Sequence, residues 1–305
     1  MNEIDTIKLS FNPTTLAFLN IVLGLVMFGV ALELKVEDFK NALKVPRALV
    51  IGIVGHHLLF PAMTYVLVTI LQPVPSIGLG MILVSCCPAG HISNFMTHLS
   101  RGNTAISVSV SAVSTVLALV LTPLNFAFWG NMHPLTHDLM REIKVSPVEM
   151  LEVIFVLLGL PLILGMWLAA KKPAIAHKIE KPMKIFSMLV LVSFIVGALA
   201  SNFQHFLKYI HLVIGTVFIH NLLAFVTGYS LSAMAGLIER DRRAVTFEMG
   251  IQNSGLGLIL IFDFFSGLGG MAIITAWWGI WHIVAGGTLA LFWRVRDPVG
   301  KAPAN

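Results

Sequence analysis

Apolar runs of about 20 residues, the length that crosses a hydrocarbon core as a helix, alternate with short polar connectors that hold most of the charge. In lipid a helix is one of only two ways to satisfy the backbone internally. The pattern predicts an all-α polytopic membrane protein with about nine transmembrane helices. They fall near 14–34, 47–71, 76–98, 103–125, 147–169, 184–203, 209–236, 244–265 and 271–293. Loop punctuation separates them: two prolines within Gln72–Ser76, then Arg101–Asn103, and a basic stretch at Leu237–Arg243. Trp129, Trp167 and Trp293 fall near predicted span ends, where an amphipathic ring suits the interface.

Composition agrees with that pattern. Of the 305 residues, 57% are hydrophobic and 11% charged, against roughly 25% charged in soluble domains. There is too little polar surface to clothe a water-facing fold. Cys86 and Cys87 are adjacent inside one run, so they announce no disulfide framework. The basic residues sit in short loops rather than along one face, which argues against nucleic acid as a partner. Sixteen of the 20 lysines and arginines fall on one side of the predicted spans. That bias places the C-terminus in the cytoplasm and the N-terminus outside, as an odd number of spans requires. The opening residues, with Glu3 and Asp5, lack the basic region of a cleavable signal, so the first span is expected to act as its own insertion signal.

Two spans are not uniformly apolar. The third carries Cys87-Pro88-Ala89-Gly90-His91 at mid-membrane, followed by Ser93 and Asn94. The eighth carries Glu248 and then Gln252-Asn253-Ser254-Gly255. Each is the middle of three closely spaced spans, 47–125 and 209–293, and the two triples run in opposite senses. Matched interruptions in inverted halves are the sequence pointer to a secondary transporter's binding site. Backbone broken at that depth needs partners from protein, ions or a water-lined cavity.

Counting 1.5 Å per residue from the span ends gives each polar side chain a depth. Ser93 and Asn94 of the third span, Ser107 and Ser111 of the fourth, and Glu248 of the eighth share one cytoplasmic-side layer. Ser107 and Ser111 are four apart and lie on one face. Hydroxyl, amide and carboxylate oxygens are what a hard cation prefers, and one buried carboxylate matches one positive charge such as sodium. Blander readings stand beside this one. The two serines also suit close helix packing, Asn94 an interhelical hydrogen bond, and Glu248 an ion pair with Arg243. Asp263, near the outer end of its span, reads as solvated or structural. His56, His91, His220 and His282 count to mid-membrane on four spans. Imidazoles there either handle protons, anions or metals, or donate to helix carbonyls across packed interfaces. His133 and His137 are placed in an external loop with no special role.

The stretch Cys86-Cys87-Pro88-Ala89-Gly90-His91-Ile92-Ser93-Asn94, with Arg101-Gly102-Asn103 and Ser107, resembles a long motif of the bile acid:sodium symporter family. Glu248-Met249-Gly250-Ile251-Gln252-Asn253-Ser254-Gly255-Leu256 resembles a second. Met27-Phe28-Gly29, His220-Asn221 and Trp281-His282 match in the same order, so the likeness covers nearly the whole chain. The resemblance implies two discontinuous helices crossing inside a core of 47–125 and 209–293. It also implies a panel of 14–34 and 147–203, and leaves 294–305 as a cytoplasmic tail.

It implies a first sodium site at Ser93, Asn94, Ser107, Ser111 and Glu248, the layer reached above by depth. It implies a second at His56, Met249, Ile251 and Gln252. There the family carries a glutamine where His56 stands, five residues before Pro61, so this site is altered, served by a proton or lost. His91, Asn253 and His282 fall where substrate is held. The implied function is sodium-coupled symport of a bile-acid-like or smaller organic anion across the inner (plasma) membrane. No enzyme activity and no obligate protein partner are expected. Proton coupling through His56 is the alternative, and a membrane-embedded metalloenzyme or a channel is a more distant one.

Overall fold

The computed structural model describes residues 3–7, 13–34, 37, 40, 43–44, 46–143, 146–201 and 203–298. Residues 299–305 of the expected tail lie outside these, as do Lys8, Lys35 and Lys144 of the orientation count. The described residues are helical almost throughout. In chain order they form α1 (Pro13–Glu33), α2 (Pro46–Leu71), α3 (Pro75–Cys86), α4 (Ile92–Leu99), α5 (Thr104–Met132) and α6 (Pro134–Ile143). Then come α7 (Pro147–Lys171), α8 (Pro173–Ser201), α9 (Phe203–Met234), α10 (Glu239–Gly250), α11 (Ser254–Phe265) and α12 (Gly269–Arg294).

Within these, α2, α5, α7, the Phe206–Met234 part of α9, and α12 are long and apolar enough to cross a membrane. Leu58, Ile70, Phe128, Ile163 and Leu291 stand exposed on their outer faces, as lipid requires and water would penalise. The chain is a polytopic helical membrane protein. The third and eighth predicted spans each form a pair of short helices, α3 with α4 and α10 with α11. Two expectations are corrected. α8 begins at Pro173 rather than near 184, drawing Lys178, Glu180 and Lys181 into the helix.

The connector after α5 is also not a plain loop, because α6 fills it. His133 is buried there, its Nδ1 accepting from Leu135 N at 3.1 Å and its Nε2 3.0 Å from Thr69 Oγ1. One nitrogen accepting and one donating is the neutral ring, and burial lowers the pKa of this imidazole below its ordinary value.

Proline shapes two of the long helices. α2 and α7 each contain a wide turn, Gly55–Leu59 and Phe155–Gly159, just before Pro61 and Pro161. A proline has no N–H and crowds the carbonyl four residues back, and a widened turn absorbs both effects. In α2 the carbonyl left over is that of His57, and Asn125 Nδ2 takes it at 2.7 Å.

α1 packs against α7 and α8, while α3 lies against α5 and α12, and α9 against α10 and α12. Gly80 permits the α3–α12 approach, since a Cβ there would stand 2.9 Å from Met271 Cα. Fully buried Phe60, Phe126 and Trp278 fill the interior.

Ahead of α1, the short turn Glu3–Asp5 closes one end of the bundle. Asp5 is buried and its Oδ1 accepts from Ser76 N at 2.9 Å, capping α3 from a distant segment. Gly269 N donates to Ile7 O at 2.8 Å, and Lys208 pairs with Glu3 at 2.7 Å. Asp5→Ala is expected to cost about 0.5–2 kcal/mol, the range for losing a helix N-cap. Thermal unfolding in detergent reads this directly, and an unchanged melting temperature would show that the cap carries no weight.

Candidate functional site

Local chemistry explains each break. Cys87 precedes Pro88 and takes an extended conformation (φ −70°, ψ 155°), as a residue before proline is pushed to do. Ile251 is extended as well (φ −114°, ψ 110°), and Asn253 restarts the helix as an N-cap, its Oδ1 accepting from Leu256 N at 3.1 Å. The two breaks meet and pair across a single antiparallel bridge. Ala89 bridges Gln252, Gly90 N donates to Ile251 O at 2.9 Å, and Asn253 N donates to Pro88 O at 2.9 Å. Each break thus satisfies the other's backbone inside the bundle. Gly90 is required by this approach, because a Cβ would lie 2.9 Å from Gln252 O.

The five residues of the predicted cation layer come together. Glu248 is fully buried. Ser93 Oγ and Ser107 Oγ donate to its Oε1 at 2.6 and 2.5 Å, and Ser111 Oγ donates to its Oε2 at 2.6 Å. Asn94 Oδ1 lies 2.8 Å from Ser107 Oγ and 3.4 Å from Ser111 Oγ. Arg243 is turned elsewhere, pairing with Glu239 at 2.9 Å and donating to the Ser100, Trp293 and Arg296 carbonyls. The ion-pair reading of Glu248 with Arg243 is therefore set aside.

Counting protons tests the fit to a cation. Each hydroxyl has one proton, and when all three serines donate to the carboxylate, none remains for Asn94 Oδ1. Thr97 Oγ1 donates to Ser107 Oγ at 3.1 Å and adds one more oxygen. The cluster holds more acceptor lone pairs than protons, around a buried carboxylate to which, among the described residues, no basic side chain hydrogen-bonds. Its donor set is oxygen alone, of the kind a hard monovalent cation takes. Among the described residues, no three His, Cys, Asp or Glu side chains gather as transition-metal ligands. Sequence reasoning missed Thr97 as a member. The signal was present, since Thr97 is one helical turn beyond Ser93 on the same face of α4.

His56, Met249, Ile251 and Gln252 also come together, on the other side of Glu248. His56 lies in the wide turn of α2, fully buried, with Nδ1 2.9 Å from Glu248 O and Nε2 2.9 Å from Cys87 O. A ring facing two carbonyls donates to both only when it carries two N–H groups, and to one when neutral. Gln252 Nε2 donates to Met249 O at 2.7 Å. Asn221, the second residue sequence reasoning left without a role, donates from Nδ2 to Gly250 O at 2.7 Å.

The predicted substrate residues come from three helices, α4, α11 and α12. His91 and Asn253 sit at the crossing, at the starts of α4 and α11. His282 is buried on α12. His220 is a packed-interface histidine, with Nε2 2.8 Å from Thr64 Oγ1 and its ring stacked on Phe60. Asp263 is exposed and accepts from Asn20 at 3.4 Å.

Comparison with known proteins identifies what this chain is similar to. The family model described as "Sodium Bile acid symporter family" matches residues 20–209. An uncharacterized sodium-dependent transporter of Bacillus subtilis, YocS, is 30% identical over 280 residues, covering 92% of this chain and 84% of that protein. The probable sodium/metabolite cotransporter BASS1 of Arabidopsis thaliana is 29% identical over 95% of this chain and 70% of its own length. The human ileal sodium/bile acid cotransporter is 27% identical over 78% of this chain and 67% of its own length.

Proposed function

The chain belongs to the sodium bile acid symporter family, and from that premise we propose that it couples sodium entry to the symport of a small organic anion. Its family consists of sodium-dependent transporters, not enzymes. One observation carries the sodium assignment. The fully buried Glu248 carboxylate faces Ser93, Ser107, Ser111 and Asn94, and among the described residues no basic side chain hydrogen-bonds to it or pairs with it. A charge in low dielectric is costly unless it is compensated, and a sodium ion held by this oxygen cluster compensates it.

The anion, bile-acid-like or a smaller carboxylate, binds where α4 and α11 begin. There two helix N-termini, with His91, Asn253 and His282, favour negative charge. Nine spans in the plasma (inner) membrane, with the N-terminus outside, complete the reading. The core of 47–125 and 209–293 moves against the panel of 14–34 and 147–203 to alternate access. Each net positive charge carried inward across 100 mV contributes about 2.3 kcal/mol, roughly 50-fold in the anion gradient, whereas a cycle of one sodium with one monoanion is driven by the sodium gradient alone.

A thermal-shift screen of organic anions, each run in sodium and in potassium, tests this. A substrate raises the melting temperature in sodium alone, and equal shifts in both salts would remove the coupling. A second reading has a proton on His56 drive transport, and the ring's two carbonyl contacts favour it. Uptake that follows an imposed pH gradient without sodium would select that reading.

A further inference from the structure

The C-terminal end of a broken helix attracts a cation twice over. Its last carbonyls have no partner within the helix, and they lie at the negative end of the helix dipole. α3 and α10 both end at the crossing, so the site beside Glu248 offers two such ends. The donors to their carbonyls can be traced one at a time. At the end of α10, Glu248 O faces His56 Nδ1, Met249 O takes Gln252 Nε2, Gly250 O takes Asn221 Nδ2 and Ile251 O takes Gly90 N. At the end of α3, Cys86 O takes Thr122 Oγ1 at 2.8 Å, and Cys87 O faces His56 Nε2.

Four of these oxygens, those of Met249, Gly250, Ile251 and Cys86, accept from an N–H or O–H of the protein itself. The other two both face the His56 ring, which donates to one when neutral and to both when protonated. Among the described residues of this group, the side-chain oxygens without a hydrogen-bond partner are Gln252 Oε1 and Asn221 Oδ1. Two neutral amide oxygens fall well short of the hydration shell a hard cation gives up.

His56 is the member that reaches both broken helices. The wide turn of α2 places it, and Gly55 allows the approach, since a Cβ there would meet Met249 Sδ at 2.8 Å. Through the carbonyl of Glu248 the ring also tethers the residue whose carboxylate faces the three serines.

We infer that His56, with Gln252 and Asn221, fills as protein the place a second coupling cation would take at the break, so that each chain binds a single sodium ion, at the Glu248 cluster. This rests on the sodium reading above. His56 is a positioning residue: it joins α3 to α10 through their carbonyls while the ion is handled next door. Transport then moves one sodium per cycle, and the anion's charge decides whether the step carries net current.

Equilibrium binding of radioactive sodium to the purified full-length protein, paired with sodium-dependent thermal shifts, tests the count. The expected result is one ion per chain and a hyperbolic curve, because a Hill coefficient cannot exceed the number of interacting sites. Two ions per chain, or a clearly sigmoidal curve, would overturn the inference and leave the sodium reading intact. Absence of any sodium binding would overturn both. His56→Gln, of similar reach but offering a carbonyl oxygen, is expected to raise the bound sodium from one toward two. A purely structural histidine would lower the melting temperature in that variant without moving the count, and that outcome also counts against the inference. The wild-type measurement decides even where the variant fails to fold.

Discussion

Glu248→Gln is expected to abolish sodium-dependent transport and to remove the rise in melting temperature that sodium produces in the parent protein. The substitution keeps the shape and removes the one negative charge in the oxygen cluster. Breaking a buried charge pair by deleting one partner costs about 3–5 kcal/mol, so apparent sodium affinity should fall by about two to four orders of magnitude. The sign reverses without sodium. The carboxylate is then an uncompensated buried charge, while the neutral amide is not, so the variant should be at least as stable as the parent in potassium. Melting curves in both salts, with uptake into proteoliposomes, check the two halves independently. A variant that keeps normal sodium-driven uptake would mean the coupling ion is bound elsewhere.

Gly90→Ala is expected to reduce uptake by more than tenfold with a smaller loss of stability. A methyl group at Gly90 would stand 2.9 Å from Gln252 O and 3.2 Å from Gln252 C, both backbone atoms that cannot swing aside. Overpacking of this kind costs about 1–3 kcal/mol. Here it pries apart the paired breaks that present His91 and Asn253. Gly215→Ala on α9 is the control, since its added methyl meets no atom within 4 Å. In a helix interior that change should stabilise by up to about 1 kcal/mol. Equal losses in both variants would point to general fragility rather than to the crossing.

Several features were legible in one dimension. Pro88 and Gly90 in one span, and Asn253 in another, weaken a helix whatever surrounds them, so the breaks could be located by residue type. The shared depth of Ser93, Asn94, Ser107, Ser111 and Glu248 followed from counting along spans of fixed rise. Thr97 was within reach of the same counting. Asn221 was not, because nothing in an Asn within an apolar run says that it points at the carbonyl of Gly250. His56 was visible as a departure from the family pattern, but its contacts with both Glu248 O and Cys87 O were not. α6 escaped notice because a ten-residue amphipathic helix, half of it polar, looks like a loop to a span-length criterion.

Spacing and residue type determined that this chain lies in a membrane, where its helices are interrupted, and which polar groups share a level, since rise per residue and hydrocarbon thickness are constants. Direction was decided only in three dimensions. Ser93 and Glu248 are 155 residues apart, and whether one faces the other, or Arg243 turns to Glu239 instead, depends on how helices rotate as they pack. Hydrogen bonds fail over a few tenths of an ångström and some tens of degrees, a resolution that linear distance along a chain does not carry.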